Sequence, residues 1–149
     1  MNAAQYIGIP FVFRGRDKAV ALDCWGLACC IYRDQLNIIL PTYDAYYDDI
    51  RDVPLEQQIG ALGSRIADEP GWFPIPLCDA RCFDIAQMRG YDLQTFHVGI
   101  FLSRDKIIHT TAKTGVIIER VNNLKTCAGI VKCWRSAKAS KELETDAAR

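Results

Sequence analysis

The chain has 149 residues, half of them apolar, with 18 basic and 18 acidic side chains and a formal net charge of zero. That is one ordinary domain with enough apolar content to build a core. The charge balance argues against nucleic acid as a partner, since phosphate neutralisation needs a clustered basic excess, and no run approaches the roughly 20 apolar residues of a membrane span.

The opening, Met1-Asn2-Ala3-Ala4-Gln5, lacks the basic and apolar regions of a secretory signal, so the chain is expected to be made in a cytoplasm. Gln5 to Gly15 is aromatic and apolar with Gly8, Pro10 and Gly15 as breakers, and reads as a loop or short extended arm. From Cys24 to Leu36, apolar residues at 24, 27, 28, 31, 32 and 36 follow helical spacing, and Asp23 supplies an N-cap. The Tyr- and Asp-rich stretch 41–52 reads as a solvated loop. Val53 to Ala67 has helical spacing at Leu55, Ile59, Leu62 and Ile66. Glu69 to Pro76 carries three prolines and a glycine, and no regular element is expected there. Four short β-branched or aromatic runs follow: Phe96 to Leu102, Lys106 to Thr111, Val116 to Arg120 and Gly129 to Arg135. Ser103-Arg104-Asp105 and Ala112-Lys113-Thr114-Gly115 separate the first three as turns. Helices followed by an antiparallel sheet make an α+β fold, with one domain over residues 1–136 and a charged tail over 137–149, a frayed helix or disordered.

Seven cysteines, an odd number, argue against a disulfide framework and read mostly as small buried hydrophobes. Cys24 is different by position. In the first turn of a helix, unpaired N–H groups and the macrodipole favour a thiolate, and the same N–H groups suit an oxyanion. Asp23 works against that, being a negative charge beside the sulfur, unless it points at a substrate amine. The chain has two histidines, His97 and His109, on two strands joined by a tight turn. Alternation puts His97 and Gly99 on one face and Phe96, Val98 and Ile100 on the other. His97 is then a candidate base for Cys24, and His109 the group that orients it. Cys78 and Cys82, four apart, and Cys127 and Cys133, six apart, lack the two-residue gap of structural zinc knots, and no metal is expected. Asp44, Asp48, Asp49 and Asp52 lack the glycine turn and ligand alternation of a calcium loop.

Asp23-Cys24-Trp25-Gly26-Leu27, His97-Val98-Gly99-Ile100 and Ile108-His109, in this order, resemble the NlpC-type cell-wall peptidases, a branch of the papain-like cysteine hydrolases. The lead-in Tyr6 to Gly15, Leu40-Pro41 and Phe83-Asp84-Ile85 are similar to further landmarks of that family, and the likeness covers about residues 4 to 135. The resemblance implies a papain-like fold, with the nucleophile at a helix N-terminus packed on a five- to six-stranded antiparallel sheet. It implies cleavage of amide bonds in peptidoglycan stem peptides, between D-glutamate and a diamino acid, without a cofactor. It assigns Cys24 as nucleophile, His97 as base, His109 as the third polar residue and Asp23 as the position that meets the substrate's free amine.

Two positions depart from the family pattern, and both bear on substrate binding. Trp25 stands where a serine is usual, offering a bulky flat surface, and Phe11 stands where the lead-in usually has a tyrosine. The Cys-Trp-Gly-Leu version with an arginine-rich lead-in is most similar to members from bacteriophages and prophages, which implies a tail-associated hydrolase, other tail proteins as partners and action in the cell wall. Three other functions compete: an amidase or acyltransferase using the same Cys–His site, a catalytically silent structural piece of a tail, and a cysteine-rich metal-binding domain that rests on the weak cysteine spacings.

Overall fold

A computed structural model describes residues 1–44, 69–89, 96–125 and 128–148. The helix expected over 53–67, most of the acidic loop and Cys127 lie outside the described residues. The architecture is α+β. A small hairpin of β1 (Arg16–Asp17) and β2 (Ala21–Leu22) leads into α1 (Cys24–Leu36). There follow β3 (Trp72–Ile75), β4 (Ile85–Arg89), β5 (Phe96–Ser103), β6 (Lys106–Thr111), β7 (Gly115–Arg120), β8 (Gly129–Ser136) and α2 (Ala137–Ala147). The six later strands form one sheet in the order β3-β8-β4-β5-β6-β7, with each neighbouring pair antiparallel.

Helix α1 starts and stops where its sequence says. The Asp23 carboxylate accepts from the Gly26 N–H at 2.6 Å, and Asn37 closes the other end in the left-handed region (φ 54°), donating back to Arg33 and Tyr32 carbonyls. Nine of its 13 residues are buried, more than one apolar stripe accounts for. The reason is cover on several sides: β5 and β6 beneath, β1 and α2 beside. Trp25, Leu27, Ile31 and Tyr32 fill a core shared with Val98, Ile100, Ile108 and Val116. Cys30 belongs to that core, as one of the helix-interior cysteines must. Gly26 meets the Gly15 carbonyl so closely that any Cβ would overlap its oxygen.

The other sheet face carries a second core of Ala86, Met88, Phe101, Ile107 and Cys133. The N-terminal arm lies along β7: Gly8 N–H donates to Val116 O and Val116 N–H to Ile9 O, both at 2.9 Å. An otherwise open stretch of sheet edge is thereby covered.

Strands β3 and β4 are elements that the sequence pattern does not give. The proline-bearing stretch 69–76 is not irregular throughout; it contains β3, with Pro74 opposite Trp134. Proline lacks a ladder donor, and β3 tolerates it because it is the outermost strand. The charged tail, expected as a frayed helix or disordered, is helical: α2 is capped by the Ser136 hydroxyl accepting from Ala139 N–H, with Ala139 buried and Leu143 packed on the core.

Asp84 and Arg135 lock the loop before β4 to β8. Arg135 Nε and Nη2 donate to the two Asp84 oxygens at 2.9 and 2.7 Å, and Arg81 N–H adds a third bond at 2.8 Å. Asp84's side chain is 4% exposed and Arg135's 16%. Removing one partner of such a pair leaves the other charge uncompensated and costs about 3–5 kcal/mol. Asp84→Ala is therefore expected to lower the melting temperature by roughly 6–20 °C for a domain of this size. A drop of about 2 °C or less would show that the pair contributes little.

Candidate active site

Cys24 is the first residue of α1, where the Asp23 cap holds the helix start. The β5–β6 ladder runs through Ser103↔Lys106, Phe101↔Ile107 and Ile100↔Ile108; toward the start of β5 no further pairs to β6 form among the described residues. The α1 N-terminus meets β5 in that opening, and the Val98 and Trp25 backbone amides act on the Cys24 sulfur in the direction that favours thiolate. Cys24 packs in the same buried cluster as Val98, the residue after His97.

The histidines form a chain. His97 Nε2 lies 2.8 Å from His109 Nδ1, with the rings edge to face at 5.0 Å between centroids. His109 Nε2 lies 2.9 Å from Glu119 Oε2, and the other Glu119 oxygen accepts from Lys125 N–H at 2.9 Å. The strand pattern explains the convergence. By alternation His97 shares a face of β5 with Gly99, which lies against Met88 and Ile107, and His109 shares that face with Ile107 on β6. His109 pairs with Ile117 and Ile107 with Glu119, so Glu119 lies diagonally across from His109 on the same face. With Nε2 engaged, Nδ1 is the nitrogen of His97 left for chemistry.

Electrostatics run opposite to the expectation from the helix terminus alone. Burial, and then the charge of Asp23, push the Cys24 thiol up to about 12, against the opposing pull of the Val98 and Trp25 amides and Arg16. Cys24 is 6% exposed, so lost hydration outweighs the helix N-terminus. Burial, and then His109, hold His97 well below its ordinary value. Burial also lowers His109, with Glu119 opposing. Burial thus favours the neutral thiol at Cys24 and the neutral imidazole at His97 and His109.

The residues matched to substrate binding are placed as follows. Asp23 is 3% exposed, and its carboxylate accepts from Gly26 N–H, from Arg14 N–H at 3.0 Å and from the Arg16 guanidinium. A substrate amine reaching it would share it with Arg16. Trp25 presents no open surface: it is fully buried, its indole N–H donates to Pro41 O at 2.8 Å, and it packs on Tyr43. The wide indole is apolar over most of its area, and the core beneath the 41–43 segment takes it up. Phe11 is partly buried and bridges Leu22, two residues before Cys24. Glu119 and Arg16 escaped the sequence reading. Glu119 was detectable in principle by carrying the antiparallel register across the turn from His109. Among the described residues no group of His, Cys, Asp or Glu is arranged to hold a metal ion, and Cys24, Cys29, Cys30, Cys78, Cys82 and Cys133 are free thiols.

The sequence profile of the NlpC/P60 family matches residues 8–135. This chain belongs to the NlpC/P60 family. It is a family of cell-wall cysteine peptidases. Solved NlpC/P60 structures share the fold. The NlpC/P60 domain of the peptidoglycan hydrolase SagA is 20% identical, with 88% of this chain and 90% of that one covered and a TM-score of 0.58. A Staphylococcus aureus protein described as similar to lipoprotein, NLP/P60 family, is 20% identical over 90% of this chain and 38% of that one, with a TM-score of 0.57. A Bacillus cereus NlpC/P60 family protein is 15% identical over 89% and 37%, with a TM-score of 0.51. The chain spans a little under two fifths of these last two proteins. No curated protein matches it in sequence.

The neutral histidines, His109 buried and His97 half-buried, make stability depend on pH. Their folded pKa values lie below 6.5, so the unfolded chain binds protons more readily. Their contribution is complete above about 6.5 and is lost progressively as pH falls from there. Thermal melts of wild type and of a His97→Gln, His109→Gln variant between neutral and mildly acidic pH are expected to show the steeper loss in wild type. Parallel slopes would contradict burial in the neutral form.

Proposed function

We propose that this protein is a cysteine peptidase that hydrolyses amide bonds in peptidoglycan stem peptides, at the linkage between D-glutamate and a diamino acid. The observation that carries the reading is the meeting of the α1 start with β5: Cys24 at Val98, with His97 one residue away and hydrogen-bonded to His109. Family membership supports the chemistry, and the description of SagA as a peptidoglycan hydrolase supports the substrate.

In this mechanism His97 Nδ1 takes the Cys24 proton as the sulfur attacks the amide carbonyl. A neutral resting pair means the proton moves with the attack rather than before it. Negative charge develops on the carbonyl oxygen. The helix-start donors suited to it are Cys24 and Trp25 N–H, since Gly26 N–H goes to the Asp23 carboxylate and Leu27 N–H to the Asp23 carbonyl. The resulting imidazolium is supported by His109. It protonates the leaving amine, and water then opens the thioester with His97 again as base. The protein is further proposed to act in the cell wall as part of a phage tail, a reading supported by Cys24-Trp25-Gly26-Leu27 and by Arg14 and Arg16 in the lead-in.

The 6% exposure of Cys24 favours a second reading, in which a shielded thioester passes to an amine or other acceptor, giving an amidase or acyltransferase. Product masses separate the two. L-Ala-γ-D-Glu-diaminopimelate incubated with wild type is expected to gain water and split into two fragments. Cys24→Ala is expected to abolish turnover and His97→Ala to reduce it by about three orders of magnitude or more, because nucleophile and base act as a unit. A product carrying the added amine instead of water would favour transfer, and full hydrolysis by Cys24→Ala would overturn both readings.

A further inference from the structure

A histidine works as a base from a bare ring nitrogen, and which nitrogen of His97 is bare is decided at the far end of its hydrogen-bonded chain, at Glu119. We infer that Glu119 is a positioning residue that fixes the tautomers of both histidines and so leaves His97 Nδ1 free of a proton toward Cys24. The inference deepens the peptidase reading and rests on its assignment of Cys24 and His97 as nucleophile and base.

The argument follows from donor and acceptor counts. A carboxylate only accepts hydrogen bonds. Glu119 Oε2 lies 2.9 Å from His109 Nε2, so the proton of neutral His109 sits on Nε2. The opposite tautomer would set a nitrogen lone pair against a carboxylate oxygen at that distance. His109 Nδ1 is then a lone pair, and His97 Nε2, 2.8 Å away, must be the donor in their bond. His97 Nδ1 is left bare. Without the carboxylate the chain can run in reverse: His109 donates from Nδ1, His97 accepts at Nε2, and its proton moves to Nδ1. A ring in that state cannot take the Cys24 proton.

The fold holds Glu119 to this task. Register from Thr111↔Gly115 through His109↔Ile117 to Ile107↔Glu119 sets its place on β7. The second carboxylate oxygen is tied by Lys125 N–H at 2.9 Å, in a segment anchored by Val121 N–H on Asp105 O at 3.0 Å. Glu119's side chain is 9% exposed and His109's is closed to solvent, so water competes little for the bond. When Cys24 attacks, the Sγ–H bond breaks and an Nδ1–H bond forms on His97. The positive charge then lies at the end of a hydrogen-bonded chain that terminates in a carboxylate, and no proton has to move onto Glu119.

The test exploits the fact that the chain has two histidines. Long-range proton–nitrogen correlation spectra of the 15N-labelled full chain at neutral pH report which nitrogen of each ring is protonated. Wild type is expected to show both rings protonated at Nε2. In Glu119→Gln the amide can face His109 with either its oxygen or its NH2 group, so mixed tautomers are expected. Hydrolysis by Glu119→Gln is expected to fall about tenfold to hundredfold in kcat, with KM changed by no more than about twofold. His109 protonated at Nδ1 in wild type would overturn the inference, and that spectrum requires no variant to fold. Unchanged tautomers in Glu119→Gln would also overturn it, whatever happened to the rate. The spectra need no substrate, so wild type that cleaves no stem peptide would count against the peptidase reading and leave the role of Glu119 decided by its tautomers.

Discussion

The site depends on how closely α1 is drawn against the hairpin that precedes it. Gly26 has no side chain, and the Gly15 carbonyl occupies the space where one would be. Gly15 is itself pressed against the Val12 and Ala21 carbonyls. Around this contact Asp23 gathers the Gly26 and Arg14 amides and the Arg16 guanidinium. Two glycines permit the approach and one carboxylate holds it. The helix start is thereby fixed in place before any tertiary contact of Cys24 is considered, and the thiol is delivered to β5 at Val98.

That same arrangement determines the chemistry of the thiol. A helix N-terminus and two amides favour thiolate, yet the groups that secure the helix also bury the sulfur and set a carboxylate beside it. Loss of hydration is the largest effect, and the thiol rises rather than falls. Arg16 offsets part of the Asp23 charge. A site built this way keeps a protonated cysteine at rest, protected from the oxidation that exposed thiolates undergo. In the proposed mechanism nucleophilicity then depends on a base with the right tautomer, which gives the His97–His109–Glu119 chain more weight than it would have beside a preformed thiolate.

Legibility in the sequence followed the physical origin of each feature. Helix α1 was readable to the residue, from Cys24 to Leu36, because its apolar spacing and its Asp23 cap are local signals. Strand β6, Lys106–Thr111, was readable for the same reason, being bounded by turns on both sides. Strand β3 was hidden by Pro74, whose cost vanishes only at a sheet edge that sequence does not reveal. Strand β4 was hidden differently: Ile85, Ala86, Gln87 and Met88 are all buried, so alternation is lost, and Gln87 is satisfied by the Trp134 indole at 3.2 Å. At the candidate site, chemistry and order single out Cys24, His97 and His109 in the sequence, and the fold brings the two histidines together. Trp25 looks like a surface feature and is core. Glu119 sits in Val-Ile-Ile-Glu-Arg, an unremarkable strand end, and acquires meaning from the register across β6 and β7.

The central claim is that one thiol of the seven is the nucleophile. A chloromethyl ketone built on L-Ala-γ-D-Glu, reacted with the intact protein and mapped by peptide mass spectrometry, tests it directly. The account predicts a single adduct on Cys24, formed at least about a hundredfold more slowly when His97 is replaced by alanine, since the base is what arms a neutral thiol. An adduct on Cys29, Cys78 or Cys82 with Cys24 unmodified would contradict it.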